Sequence, residues 1–477
     1  MTLLAHKPPY SGQLKPKLSE VPAFVEMIGQ GWRAERRPAP LVPGAAAAAA
    51  KHRALLSDAI GQRDIVVFCG HAPVRNNDCN FDFRGDSNFI WLVGAQVEFA
   101  ALVMRPNGAG HDATLYLTPP AKPGERDFFA SAAYGELWVG PSAALEDWQE
   151  GLGMDVQNYT AFEAALGKLA DPLVSGTVPS DELAAFHVPA SAELDKTLAH
   201  LRMFKDEWEV AQLREAVDAS VGGFAAVAGA VPQAMRMPRG ERWLQGTFDR
   251  HARAWGNGVG YATIVGSGPH APTLHWVRCD GDIIPDMPLL LDMGVEANSY
   301  YTADVTRTIP PTGEFSPAGR RVHDLVEASH RAGLAAAVDG AHFLDFHYAS
   351  MEVLAQGLHD WGLLPVSVDE ALSPEGQQHR RYIVCGVGHH LGLDVHDCAK
   401  SDVERYDGAN LAPGMVFTVE PGLYFHANDL TVPPELRGVG VRIEDDVWIR
   451  PDGTQEVLSA ALPISAGELE AWTKAQQ

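Results

Sequence analysis

The chain has 477 residues, 46% hydrophobic and 21% charged, the usage of an ordinary globular protein, which excludes a disordered chain. Its 37 Lys and Arg against 61 Asp and Glu leave a net charge of −24, which excludes nucleic acid and an anionic membrane surface as expected partners. The length exceeds one ordinary core, so two domains are expected, at most three.

Five cysteines (Cys69, Cys79, Cys279, Cys385, Cys398) are odd in number and scattered, with no CxxC spacing. That argues against a disulfide framework and against a thiolate zinc site. The first residues, MTLLAHKPPYSGQLKP, place prolines and lysines where a secretion signal needs an apolar core. No apolar run reaches the ~18 residues of a membrane span, so a cytoplasmic protein is expected.

In chain order, the first forty residues are rich in Pro, Lys and Arg and read as a surface segment. The alanine run at 44–50 leads into a helix through residue 60. Short apolar runs at 65–68, 89–93, 100–104 and 114–117, separated by turn residues, predict strands. Residues 145–151 and 161–169 predict helices. Together they give an N-terminal α/β domain over 1–195, followed by a second domain over 196–477. There, Val210, Leu213, Val217, Val221 and Phe224 form one helical stripe, and Met351, Leu354, Leu358 and Trp361 form another. Strands are predicted at 289–292, 300–309, 415–420 and 438–449. Helices mixed with antiparallel hairpins predict an α+β fold rather than a doubly wound sheet.

Residues 289–308 read LLLDMGVEANSYYTADVTRT, two strand-like runs flanking Ala297-Asn298-Ser299, a plausible turn. With Asn298 at the tip, Asp292 and Asp304 are expected to face one another with Cβ atoms about 4.5–5.5 Å apart. Two carboxylates that close need a cation, a shared proton or open solvent. Apolar residues on both sides argue against solvent, although an exposed hairpin with splayed acids is the competing reading.

Further candidates follow. VGHHLGLDVHD at 387–397 holds His389, His390 and His396; MVFTVEPGLY at 415–424 ends a strand at Glu420; GVGVRIEDDVW at 438–448 places Arg442 and Glu444 on one strand face. Each alone reads as well as a turn or a solvated face. As an ordered set, two Asp, one His and two Glu offer hard oxygen ligands with one imidazole. That suits two divalent ions (Mn²⁺, or Zn²⁺ or Co²⁺) bridged by carboxylates better than a structural zinc. Two such ions can share and activate a water.

These stretches resemble the aminopeptidase P (Xaa-Pro aminopeptidase) branch of the pita-bread metallopeptidases. The matching segments are IVGSGPHAPTLHW (264–276), LLLDMG with YTADVTRT, GHHLGLDVHD (388–397), MVFTVEPGLYF (415–425) and GVGVRIEDDV (438–447). They keep the family's order and spacing over most of residues 200–460. RNNDCNFDFRGDSNFIWLVG (75–94) resembles the branch's non-catalytic N-terminal domain, which methionine aminopeptidase lacks.

The resemblance implies an α+β chain, with a smaller α/β domain before a catalytic pita-bread domain. It implies that Asp292 chelates one metal, Asp304 bridges both, His389 is the sole imidazole ligand, and Glu420 and Glu444 complete two sites, with Mn²⁺ first and Zn²⁺ or Co²⁺ as alternatives. A bridging hydroxide would attack the Xaa–Pro carbonyl, Glu420 would shuttle the proton to the leaving nitrogen, and His275 and His396 would contact substrate and oxyanion. Arg442 would position the pocket or the acidic shell. The implied substrates are peptides with proline in second position. The implied assembly is a homo-oligomer, dimer or tetramer, with Asp78 and Arg84 in the loop that can reach a neighbour's site.

One departure stands four residues before His389, where the family has a second histidine and this chain has Cys385; proline selectivity or rate is expected to differ, and a small apolar filler is the plainer reading. Prolidase shares every ligand and is the alternative enzyme. A peptide-binding pseudo-enzyme would lack a ligand, His275 or His396, and none is missing.

Overall fold

A computed structural model describes residues 16–33, 35–77, 79–177 and 191–477. The chain divides into two compact units, Met1–Leu194 and Asp195–Gln477. In the first forty residues, 1–15 and 34 lie outside the described residues; the rest include the helix Pro22–Ile28, which buries none of its residues.

The first unit is built on a mixed five-stranded sheet in the order Asp155–Asn158, His111–Leu117, Ala101–Pro106, Ile65–Phe68, Leu173–Gly176. Ile65–Phe68 runs antiparallel to Ala101–Pro106 and parallel to Leu173–Gly176. All four of its residues are buried, and Val66, Phe68, Val103, Tyr116, Phe162 and Val174 form one core cluster. The alanine run is part of the helix Ala45–Ile60, three of whose alanines are buried.

Residues 89–93, expected as a strand, instead form the helix Ser87–Val93. The Asp86 side chain accepts the backbone N–H groups of Asn88 and Phe89, and Gly94 ends the helix at φ 83°. Every residue of this helix is buried, so its sequence carries no amphipathic period to separate it from a buried strand.

The second unit is α+β. Glu207–Ala234 packs on Gly240–Trp255, and Pro317–Ala336 packs on Asp345–Asp360. Asp206 caps the first of these helices, accepting from Trp208 and Glu209 at 2.9 Å, while the Glu209 side chain accepts from Asp206 N at 2.8 Å. Val210, Leu213, Val217 and Phe224 are buried, as the stripe predicts, and so are Met351, Leu354 and Leu358.

Between the helix pairs lie short antiparallel sheets. Leu289–Asp292 is flanked by Ile264–Ser267 and Thr306–Ile309. Asp445–Ile449 lies between Val416–Val419 and Gln455–Val457, and Gly422–Phe425 pairs with Val439–Arg442. Leu289 and Leu291 enter the core beneath the first helix pair, and Leu290 enters the core beneath the second. Burial on both faces explains the unbroken Leu-Leu-Leu run.

The acidic hairpin forms in a different register from the one expected. Asp292 pairs with Thr306, not Asp304, and Met293 N bonds Val305 O at 3.0 Å. The tip is the three-residue loop Asn298-Ser299-Tyr300. It is closed by Ala297 N to Tyr301 O (2.9 Å) and Tyr300 N to Ala297 O (2.8 Å), with Tyr300 left-handed at φ 72°. Glycine normally marks that conformation, and a tyrosine there hides the turn from the sequence. The shift is two residues, so Asp292 and Asp304 remain on one face as diagonal neighbours. Gly294, opposite Asp304, has no room for a side chain: a Cβ there would lie 1.8 Å from Ala303 O.

The stretch 438–449 likewise divides into two strands serving different sheets, Val439–Arg442 and Asp445–Ile449, with Glu444 at the junction and its N–H bonded to Thr306 O at 3.1 Å.

Candidate active site

The sheets of the second unit converge at strand ends. Asp292 closes one strand, Asp304 stands two residues before the next, Glu420 directly follows Val416–Val419, and Glu444 fills the junction just described. His389 comes from a loop stitched beside Val416–Val419: Thr418 N bonds His389 O (2.9 Å), His389 N bonds Thr418 Oγ1 (3.1 Å), and Glu420 N bonds Val387 O (2.9 Å). A cavity of about 630 Å³ opens there. Asp292, Asp304, His389, Glu420, Glu444, His275, His396, Arg442 and Cys385 all line it, so the candidate ligands and substrate contacts come to one place, whereas His390 is fully buried outside that lining. Arg84, in the first unit, donates to Gly85 O at 2.6 Å; Asp78 lies outside the described residues.

His389 Nε2 lies 3.3 Å from Asp304 Oδ2 and 3.4 Å from Glu420 Oε1. Asp304, His389 and Glu444 each offer a ligand atom within 4.8 Å of the others. Arg442 spends its guanidinium inside the site: Nε to Thr306 Oγ1 (3.0 Å), Nη1 to Tyr424 OH (3.0 Å) and Nη2 to Asp292 Oδ2 (2.5 Å). Tyr261 OH donates to the other Asp292 oxygen at 2.6 Å, and Thr306 Oγ1 donates to Glu444 Oε2 at 2.7 Å. The His396 ring stands 4.2 Å from that of His389, centre to centre.

The electrostatics of this cluster favour a cation. Burial pushes the Asp292, Glu420 and Glu444 carboxyls above the usual carboxylate range, and repulsion among the acids adds to it against Arg442. His389 is shifted the other way from a buried imidazole: burial opposes its charge, but Asp304 and Glu420 hold it well above its ordinary value. Four carboxylates facing one guanidinium and one imidazole make a deficit of positive charge that divalent ions remove. The tautomer agrees. His389 Nδ1 is 3.1 Å from His390 O, a carbonyl that only accepts, so Nδ1 carries a hydrogen and Nε2 is the nitrogen that faces the acids, where a bound cation would take the place of its proton. Four oxygen-donor side chains with one imidazole nitrogen fit Mn²⁺, Zn²⁺ or Co²⁺.

The model of metallopeptidase family M24 matches residues 211–451 of this chain. The chain belongs to metallopeptidase family M24. A second model, the N-terminal domain of aminopeptidase P, matches residues 49–175. Among M24 relatives, Xaa-Pro aminopeptidase 2 of Streptomyces coelicolor is 45% identical over 89% of this chain and 90% of its own length. The Xaa-Pro aminopeptidase of Escherichia coli K12 is 29% identical over 85% and 92%. The aminopeptidase PepP of Pseudomonas aeruginosa superposes with a TM-score of 0.78 at 26% identity, covering 91% of this chain and 99% of that one. The E. coli aminopeptidase P in its low-pH form gives 0.77 at 26% identity, covering 90% and 98%. The architecture of this M24 chain is therefore an aminopeptidase P-type N-terminal domain followed by a pita-bread metallopeptidase domain, and the protein is a hydrolase.

Several residues of the M24 site escaped the sequence reading: Tyr261 and Tyr424, which hold Asp292 and Arg442, and Asp446, whose Oδ2 accepts Asp304 N at 3.2 Å. Thr306 joins Arg442 to Glu444. Tyr424 and Asp446 stand four and two residues from the candidate ligands Glu420 and Glu444, a usable signal; Tyr261 carries none. Cys385 is half-buried in the cavity wall, and burial pushes its thiol up, which suits a small filler better than a nucleophile.

Proposed function

We propose that this chain is a dinuclear metal-dependent aminopeptidase that hydrolyses the bond between an N-terminal residue and a following proline. The observation that carries the proposal is the convergence of Asp292, Asp304, His389, Glu420 and Glu444 with His275 and His396 on one cavity, in a chain 45% identical to a protein named as an Xaa-Pro aminopeptidase. Asp292, Asp304, His389, Glu420 and Glu444 would hold two divalent ions, Mn²⁺ in the first instance and Zn²⁺ or Co²⁺ as alternatives, with Asp304 shared between them. When bound, such a pair supplies Lewis acidity toward the scissile carbonyl and lowers the pKa of a water.

The chain's own groups perform the rest. Glu420, half-buried in the wall and beside His389, takes the proton of the attacking water and delivers it to the proline nitrogen, turning a poor amide leaving group into an amine. His275 and His396 present N–H donors to the oxyanion that develops as the carbonyl carbon becomes tetrahedral. Arg442 touches no solvent-facing partner; it fixes one oxygen of Asp292 and the hydroxyl of Thr306, so the acids keep their spacing through turnover. Leu274, Val277 and Val395 make the apolar part of the wall, suited to a pyrrolidine ring. We further propose a cytoplasmic homo-oligomer, dimer or tetramer, with mass in solution read by light scattering.

The test compares a matched Xaa-Pro dipeptide and Xaa-Pro-Xaa tripeptide with the Mn²⁺-loaded enzyme, using Glu420→Gln as control. Faster tripeptide cleavage is expected, lowered by about 10²–10⁴-fold in the variant. Cleavage of the dipeptide alone would assign a prolidase with the same ligands. Absence of turnover of both peptides with Mn²⁺, Zn²⁺ and Co²⁺ would overturn the proposal.

A further inference from the structure

Glu241 lies in the first turn of Gly240–Trp255, is fully buried and is not among the residues that line the cavity. Its Oε1 accepts Ser267 N (2.9 Å) and His270 Nδ1 (2.8 Å), and its Oε2 accepts Trp276 Nε1 and Gly281 N, both at 2.8 Å. The Glu241 N–H returns a bond to Gly281 O at 3.1 Å. Four donors converge on one acceptor-only group, a set that a carboxylate satisfies and an amide does not.

The segment so gathered, 267–281, holds no regular structure beyond the end of one strand and the turn Gly268–His270. With no ladder to shape it, its course depends on a few local backbone bonds and on side-chain bonds, and Glu241 grips its start, its middle and its end. His275 sits within that span. Its neighbour Trp276 is buried and fixed on three sides: the indole N–H on Glu241, the His270 ring stacked at 3.9 Å and 23°, and the Arg278 guanidinium 4.2 Å from the ring centre. His275 is exposed and lines the cavity while the indole next to it is held buried, so the bonds that fix Trp276 also fix the stretch of backbone that carries the His275 imidazole.

We infer that Glu241 is a positioning residue for His275, acting through Trp276 and the 267–281 segment. The inference rests on the reading of His275 as an oxyanion donor, and the test separates the two. Hydrolysis of the Xaa-Pro-Xaa tripeptide is measured for the parent, Glu241→Gln, His275→Ala and the double variant, together with metal content and melting temperature. Loss of one oxyanion donor typically lowers kcat by about 10²–10³-fold, the expectation for His275→Ala.

Glu241→Gln, which turns an NH₂ toward two N–H donors, is expected to lower kcat about tenfold or more with KM and metal stoichiometry little changed, and the double variant is expected to be no slower than His275→Ala alone, the non-additivity of residues that act as a unit. Independent, multiplicative losses, or metal loss in Glu241→Gln, would overturn the inference and leave a general structural role. Parent-like rates for His275→Ala would instead overturn the oxyanion reading itself. If Glu241→Gln fails to fold, Trp276→Phe, which removes the indole N–H together with its fused ring and leaves an aromatic ring beside His270, enters the same cycle with the same criteria.

Discussion

Asp304→Ala is expected to lower peptide hydrolysis by about a thousandfold or more, since several kcal/mol of transition-state stabilisation go with a metal site and each 1.36 kcal/mol is a factor of about ten. Asp304 occupies the centre of the acidic cluster, 3.3 Å from His389 Nε2 and grouped with Glu444. If it is shared between two ions, its removal should empty at least one site. Elemental analysis should then show fewer than two equivalents of metal, against the two expected for the parent. Chelation and dialysis should inactivate the parent reversibly, with activity restored by Mn²⁺, and the variant should not recover. The backbone of residue 304 is held independently, its N–H on Asp446 at 3.2 Å, so the variant should melt close to the metal-free parent. Full metal occupancy with unimpaired turnover would remove Asp304 from the ligand set.

The second large effect concerns folding. Arg307→Leu is expected to destabilise the protein by about 3–5 kcal/mol, the range for removing one partner of a buried ion pair. Arg307 is 1% exposed, and all five of its N–H groups are used. Nε bonds Pro463 O (2.9 Å), Nη1 bonds Thr306 O (2.9 Å) and Glu444 O (2.6 Å), and Nη2 bonds Asp445 Oδ1 (2.6 Å) and Leu462 O (3.0 Å). Leucine would take a donor from four carbonyls, of which Thr306 O keeps the Glu444 N–H, and would leave Asp445 with Ser459 and His330 as its partners. Because the Glu444 carbonyl is one of those partners, metal affinity should fall along with stability. Urea denaturation of parent and variant, both metal-free, isolates the folding term; a loss under 1 kcal/mol would show that the neighbourhood repacks or hydrates freely.

Both predictions rest on residues whose legibility in the sequence differed. The five ligand candidates were readable because acids and a histidine in apolar surroundings are chemically conspicuous even without neighbours in space. Their exact opposition was not. The pairing of Asp292 with Thr306 depends on a left-handed Tyr300, and nothing in Ala-Asn-Ser-Tyr-Tyr marks it. The helix Ser87–Val93 was missed because total burial erases periodicity, whereas Glu207–Ala234 was plain from its stripe. Arg307, Tyr261 and Glu241 were invisible as functional residues for a common reason: apart from Thr306 beside Arg307, the side-chain partners named above lie 26 to 156 positions away, and only the folded chain brings them together.

The hairpin between the first two acids also limits how this chain can change length. Its side chains alternate, so an odd number of residues gained or lost within the paired stretch would turn Asp304 to the opposite face of the ribbon. An even number would keep it facing the cavity but slide it about 6–7 Å along the strand for each pair of residues. Neither is tolerable to a cluster whose members stand 3–5 Å apart. Only the three-residue tip can absorb insertions. Descent with variation in this segment is therefore expected to proceed by substitution and by growth of the tip, with the count of residues on each arm inherited unchanged.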